Sequence, residues 1–347
     1  MQSFIVSNLQ AGQRFDKFLR KYLPKAQSGF LYKMLRKKNI TLNGKKADGS
    51  EILAENDVVA TFFSDETFQA FRGEESDGPG TSKTAEYTSA YRKLKGIGIL
   101  YEDEDILVLN KPAGILSQKA KEQDLSLNEW LIGYMLDGGE IGFSDLETFH
   151  PSVCNRLDIN TSGIVLCGKT LSGLQFLSSI IRDKELKKFY RAICPGKIEG
   201  EMTLTGILVK DTGKNLVSIR EDQSCENGEK IQGGATVKTR IFPIVSNDRY
   251  TYLEVQLFTG KTHQIRAHLS RIGHPVIGDT KYREEKTNQY FRENYRLSHQ
   301  LLHAYRVEFP EKMQEKFQNR FLHMSNRVII AEIPANFEDI RQKLFAD

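Results

Sequence analysis

The chain has 347 residues, enough for two or three domains of about 100–200 residues each. With 39% apolar and 27% charged residues it reads as an ordinary globular protein, which excludes a disordered chain. No apolar run approaches the roughly 20 residues of a membrane helix, and residues 1–10 lack the basic leader and cleavage site of a secretory signal, so a cytoplasmic protein without a membrane partner is expected.

The net charge of +4 is small, but its distribution is uneven. Residues 10–46 carry eleven Lys or Arg against one acid, Asp16. Phe15, Phe18, Leu19, Tyr22 and Leu23 fall on one face of a helix that Pro24 ends. A second helix over Ser28–Lys38 points Phe30, Leu31, Met34 and Leu35 inward and leaves Lys33, Arg36, Lys37 and Lys38 on the other side. Ile40–Leu42, an Asn43-Gly44 turn and the run Val58–Phe63 predict a short hairpin and a closing strand. The order Arg-Phe-Asp-Lys-Phe-Leu, then Lys-Lys-Asn-Ile-Thr-Leu-Asn-Gly-Lys, resembles the S4 RNA-binding domain over residues 12–63. That resemblance makes Lys33, Arg36, Lys37 and Lys38 candidate RNA contacts, since cations without interspersed acids suit phosphate. Residues 64–86 then turn acidic, and 72–84 has no apolar periodicity. The expected organisation is a small domain over 1–63, a flexible linker over 64–90 and a large domain over 91–347.

The large domain opens with a strand-like run from Ile99 that stops at Lys111-Pro112-Ala113-Gly114, a turn with an architectural role. Asn155-Arg-Leu-Asp-Ile-Asn-Thr-Ser-Gly163 then sets Asp158 near Arg156 ahead of a small-residue turn and an apolar strand, Gly163–Lys169. An isolated Arg-x-Asp is most often a surface ion pair. Leu171, Leu174, Leu177, Ser178 and Ile181 mark the next helix face, and Phe189–Cys194 a strand. An alternating strand over Thr251–Phe258 leads into a helix containing Ile265, Leu269 and Ile272, with Thr262 as its expected cap. His263 and His268, spaced i, i+5, fall on different helix faces and predict no metal site. Cysteines 154, 167, 194 and 225 show no zinc or disulfide spacing and are expected to be free thiols. Many short strands interleaved with a few helices argue for an α+β fold with a mixed or antiparallel sheet and a central cleft.

Four segments, in order, resemble the RluA/RluC/RluD family of RNA pseudouridine synthases: Asn-Lys-Pro-Ala-Gly at 110–114, Arg-Leu-Asp-x-x-Thr-Ser-Gly at 156–163, Lys-x-Tyr-x-Ala at 188–192 and Gly-Lys-Thr-His-Gln-Ile-Arg at 260–266, with Leu-His-Ala at 302–304 closing the match. The resemblance implies the pseudouridine synthase fold, a mixed and mainly antiparallel sheet, behind the S4-like domain. It implies Asp158 as the catalytic aspartate, Arg266 as its partner and Tyr190 as an active-site tyrosine that covers the base and assists proton removal from C5. Arg156, Thr161, His263, Gln264 and Leu302 become candidate substrate contacts. The residue before Arg156, usually His in the family, is Asn155. No cofactor is expected. The implied reaction isomerises uridine in RNA after base flipping, and an S4-like module beside this domain points to large-subunit (23S) ribosomal RNA bound by a monomer, with tRNA as the other RNA class. A non-catalytic RNA-binding or ribosome-assembly protein would explain the basic module alone but not Asp158, Tyr190 and Arg266 together. A hydrolase would need a nucleophile motif such as Gly-x-Ser-x-Gly, which is missing.

Overall fold

Two sheets carry the chain in a computed structural model that describes residues 1–72, 79–211, 216–220, 234–282 and 284–346. The N-terminal unit contains β1 (Gln2–Ile5), α1 (Phe15–Tyr22), α2 (Ser28–Arg36), β2 (Ile40–Leu42), β3 (Lys45–Lys46) and β4 (Val58–Thr61). Its four strands run antiparallel in the order β1-β4-β2-β3. Phe15, Phe18, Leu19 and Tyr22 bury one face of α1 against Leu31, Met34 and Leu35 of α2, as their spacing predicts. The strand β1 was not expected, because four residues with one half-buried face give little periodic signal before their partner β4 is known.

The range expected to be linker is helical where it is described. It holds α3 (Asp65–Arg72) and the C-terminal part of α4 (Pro79–Lys93), while residues 73–78 lie outside the described residues. Phe68 of α3 is buried against the Tyr22 ring, with centroids 5.8 Å apart. Tyr87 and Ala90 of α4 are buried too, and Tyr91 packs on Trp130 of α5 (Leu127–Asp137). The helices cross closely at Gly133, where an added Cβ would stand 2.3 Å from the Tyr87 carbonyl oxygen. The order comes from a few aromatics with distant partners, which a Gly- and Ser-rich composition hides.

The large sheet comprises β5 (Gly98–Glu102), β6 (Ile106–Lys111), β7 (Ser152–Val153), β8 (Ser162–Gly168), β9 (Lys187–Pro195), β10 (Met202–Asp211), β11 (Leu216–Arg220), β12 (Ala235–Ser246), β13 (Tyr250–Leu257), β14 (Leu302–Glu308) and β15 (Val328–Ile330). The order is β11-β10-β12-β13-β9-β14-β8-β6-β5, with β15 on β14 and β7 on β8. Only the central β8–β14 pair is parallel among the described pairings. The run from Ile99 to Lys111 is two strands, because Asp103 accepts from the amides of Asp105 and Ile106 and turns the chain.

Strand alternation divides the core. Leu107 and Leu109 of β6 face α5 with Val165, Ala192 and Val255, whereas Ile106 and Val108 face α6 (Leu171–Arg182). On α6 the buried face is Gly173, Phe176, Leu177, Ser179 and Ile180, rotated from the expected Leu171, Leu174, Leu177, Ser178 and Ile181. Phe176 decides that rotation by stacking on Phe321, 4.2 Å between centroids, from α9 (Glu315–Phe321). The remaining helices are α7 (Gln264–Arg271), α8 (Glu285–Tyr295) and α10 (Ala335–Phe345). Cys154, Cys167 and Cys194 are free thiols, and Cys225 lies outside the described residues. Among the described residues no helix is long and apolar enough to cross a membrane.

Candidate active site

The Asp158 loop joins β7 to β8 and is held at most of its backbone. Gly163 lies so close to β14 that a Cβ would meet the Ala304 oxygen at 2.2 Å, and its φ of +114° lies where side chains are rarely tolerated. Asn155 accepts from the Leu166 amide at 2.7 Å and donates to the Ile164 carbonyl, so this departure from the family pattern ties the loop to β8. The Ser117 hydroxyl donates to the Leu157 carbonyl at 2.9 Å and accepts from the Leu157 amide at 3.0 Å. The Ile159 carbonyl accepts from the Gly114 amide at 2.8 Å and from the Lys111 ammonium at 3.2 Å. Lys111, fully buried, also donates to the carbonyls of Ile115 and Pro112. The Asp158 side chain, 23% exposed, emerges from this frame towards α7.

Arg266 meets it there. Its Nη1 donates to Asp158 Oδ2 at 2.6 Å, while Nε and Nη2 donate to the two oxygens of Asp279 at 2.6 and 2.8 Å. Asp279 is fully buried and also accepts from the amides of Lys281 and Tyr282. Burial alone would raise its pKa, but the Arg266 guanidinium and those amides outweigh it and hold the carboxyl below the usual range. Burial likewise opposes the charge on Arg266, and the two carboxylates more than restore it. The guanidinium sits 5.3 Å from the Tyr282 ring centroid, and the Tyr282 hydroxyl bonds to the backbone of Val217. Asp279 and Tyr282 were not foreseen. Val276-Ile277-Gly278-Asp279, an acid straight after an apolar pair and a glycine, was the available signal.

His263 caps α7 in the left-handed region, with φ +55°, and its side chain makes no capping bond; Thr262, the expected cap, precedes it. Its Nε2 lies 3.9 Å from Asp158 Oδ2 and its Nδ1 3.3 Å from the Tyr282 hydroxyl. Burial lowers its pKa, with Asp158 opposing and Arg266 assisting, which favours the neutral ring. Gln264 faces inward instead. Its amide is spent on Thr259, Lys261, Lys238 and Thr239, so it fixes the turn before α7 and is not free for substrate. Thr161 is also buried, its hydroxyl accepting from Gln300 at 2.6 Å, and it braces the loop.

Tyr190 lies mid-strand on β9 opposite Val255 and Ala304, in one apolar cluster with Leu302. Among the described residues its hydroxyl has no protein partner. Burial, and then the Asp158 charge, push that phenol up, so the hydroxyl stays protonated near neutral pH. Leu302 is 3% exposed and belongs to the core beneath the site. Arg156 is exposed at the loop surface, with no partner among the described residues.

Asp158, the Arg266 that pins it and the buried Tyr190 all fall within residues 105–271, the stretch that matches the family described as RNA pseudouridylate synthase, and Asp279 follows just beyond it. The chain is 30% identical over 308 residues to a ribosomal large subunit pseudouridine synthase C of Salmonella typhi, covering 86% of each protein. It belongs to the RNA pseudouridine synthase family. An uncharacterized RNA pseudouridine synthase of Mycoplasma genitalium is 29% identical over 315 residues, covering 90% of this chain and 91% of the relative. The fold of the synthase matches the human RNA pseudouridylate synthase domain containing 4, with a TM-score of 0.55 and 18% identity over 76% of this chain and 97% of that one.

Proposed function

We propose that the synthase converts uridine to pseudouridine in large-subunit ribosomal RNA, in the cytoplasm and as a monomer, with Asp158 as the catalytic aspartate. The observation that carries the site is the Arg266–Asp158 contact at 2.6 Å, with Asp279 holding the guanidinium from behind. A carboxylate so oriented is suited to act at the ribose of a uridine extruded from its stack, an extrusion costing a few kcal/mol. The Tyr190 ring covers the base, and its hydroxyl donates a hydrogen bond. Arg156, exposed on the same loop, occupies the vacated stack. His263, 3.9 Å from Asp158, lies within reach of the ribose. The C1′–N1 bond breaks, the base turns over and C1′–C5 forms; C5 loses one proton and N1 gains one, so the sum is an isomerisation that needs no cofactor.

The ribosomal substrate is supported by relatives such as the Salmonella typhi protein, whose name specifies the large ribosomal subunit. Two helices on a small sheet, with Lys33, Arg36, Lys37 and Lys38 all exposed, support an S4-like module that holds RNA by its phosphates. That module contacts the catalytic part directly, with Gln10 donating to Thr148 at 3.2 Å and Lys21 to the Thr148 carbonyl at 2.9 Å, and Arg72 at the end of the adjoining α3 pairs with Glu147.

Mapping pseudouridine in ribosomal RNA and tRNA from cells lacking the protein, complemented with wild type or Asp158→Asn, tests both parts. Large-subunit sites lost on deletion and restored only by wild type are expected. Sites lost from tRNA would move the substrate, and restoration by Asp158→Asn would remove the aspartate from its role. Asp158→Asn is expected to abolish turnover with RNA affinity within a few fold of wild type.

A further inference from the structure

Lys188 is a half-buried cation that the protein does not neutralise. It precedes Tyr190 by two residues on β9, so both side chains lie on the same face of the sheet, about 7 Å apart along the strand. Among the described residues it makes no hydrogen bond or ion pair. Other lysines removed from water are satisfied: Lys111 donates to three carbonyls, and Lys169 pairs with Glu102 and Glu140 at 2.7 and 2.6 Å; even the exposed neighbour Lys187 pairs with Glu308 at 3.5 Å. The Lys188 ammonium lies beside Gly260, where an added Cβ would stand 3.6 Å from Nζ. Lys261 follows, exposed and also without an acidic partner among the described residues. This turn leads straight into His263, whose ring reaches to 3.9 Å from Asp158.

A desolvated, unpaired charge opposes folding unless something outside the fold uses it. Burial lowers the Lys188 pKa, in keeping with an ammonium that waits for an anion. We propose that Lys188, with Lys261 beside it, seats a backbone phosphate of the RNA strand next to the uridine that lies on Tyr190. The spacing suits a neighbouring nucleotide, since the base covers Tyr190 while the chain continues over the turn at Gly260. Lys188 thus fixes the path of the strand through the cleft, separately from the N-terminal basic module. This rests on the pseudouridine synthase activity and not on the ribosomal identity of the RNA.

The test uses the full-length protein with Lys188→Met, Lys188→Arg and Lys261→Ala. Binding of a labelled single-stranded 12-mer of uridylate is measured across a salt series, and turnover on RNA extracted from cells lacking the protein. Lys188→Met is expected to bind about tenfold more weakly and to reduce the salt slope by about 0.7, as losing one phosphate contact on a single strand requires. Its turnover at saturating RNA should stay within about threefold of wild type, and its thermal midpoint should not fall, because an unpaired buried charge has been removed. Lys188→Arg should restore the slope, and Lys261→Ala should lower it in a protein whose core is untouched. A lower thermal midpoint with an unchanged slope would make Lys188 a structural residue and overturn the proposal. Collapse of turnover at saturating RNA with unchanged binding would place Lys188 in the chemistry and overturn it equally.

Discussion

Asp279 accepts two hydrogen bonds from Arg266, at 2.6 and 2.8 Å, and thereby fixes the plane of the guanidinium whose remaining nitrogen meets Asp158. Asp279 is thus a positioning residue, acting on the aspartate through the arginine. Breaking one partner of a buried pair costs about 3–5 kcal/mol, and Arg266 keeps Asp158, so Asp279→Asn should fall at the lower end. A small displacement of a positioned group costs up to about 100-fold in rate, and kcat should fall on that scale with KM little changed. The Asp279 carboxyl is held below its ordinary 3.8 in the fold, so its stabilisation is full above that value and is lost as pH falls through the lower, folded one. Unfolding midpoints of wild type and variant should therefore converge in acid. Curves that run parallel through the whole acid unfolding range would contradict the pairing.

Gly163→Ala should be among the most damaging small substitutions in the chain. A methyl there meets the oxygen of Ala304 at 2.2 Å and its nitrogen at 2.6 Å, in the one parallel strand pairing among the described residues. Backbone neighbours cannot swing aside as a side chain would. Strain from the positive φ and the overpacking together should cost about 3 kcal/mol or more, read as a lower denaturant midpoint. Recovery of a soluble, active Gly163→Ala protein of wild-type stability would show that β8 and β14 sit further apart.

Legibility in the sequence followed how local the signal was. The α1 face, the Lys111–Gly114 turn and the Asp158, Tyr190 and Arg266 segments were readable because their residues recur at fixed short spacing. Three features were not. The buried face of α6 is decided by Phe321, far along the chain. Helices α3 and α4 owe their order to Tyr22, Trp130 and the close crossing at Gly133, none of them local. Asp279 acquires its meaning only when the fold brings it behind Arg266. Thr161 and Gln264 were candidate substrate contacts by residue type, and only the structure shows that their polar groups are already bonded inside the protein.

Tyr190→Phe separates the ring from the hydroxyl. Since that hydroxyl has no protein partner among the described residues, its loss should change stability by less than about 1 kcal/mol. Turnover should nevertheless fall by about 100-fold, the lower range for loss of a positioned proton donor. Burial and the Asp158 charge push the phenol above its ordinary 10.0, so wild-type turnover should show no tyrosine limb up to that pH. A limb below pH 10 that vanishes in Tyr190→Phe would instead make the phenolate the active form.

Lys111 carries the clearest pH signature. Burial pulls its ammonium from 10.5 to about 7, against the attraction of Asp158. Between those values the unfolded chain holds the proton that the fold gives up, so stability should rise with pH from about 7 to 10 and be flat with respect to this group below 7. Lys111→Met removes that slope. It also strips a donor from the carbonyls of Pro112, Ile115 and Ile159, at about 1–3 kcal/mol for each left unpaired. Ile159 keeps the Gly114 amide, so the loss concentrates at Ile115 and at the turn that bears on the Asp158 loop. The variant should be less stable at neutral pH, slower in turnover, and further from wild type at pH 9 than at pH 7. Urea midpoints from pH 6.5 to 9.5 decide it, and parallel curves for the two proteins would mean that Lys111 keeps its proton throughout.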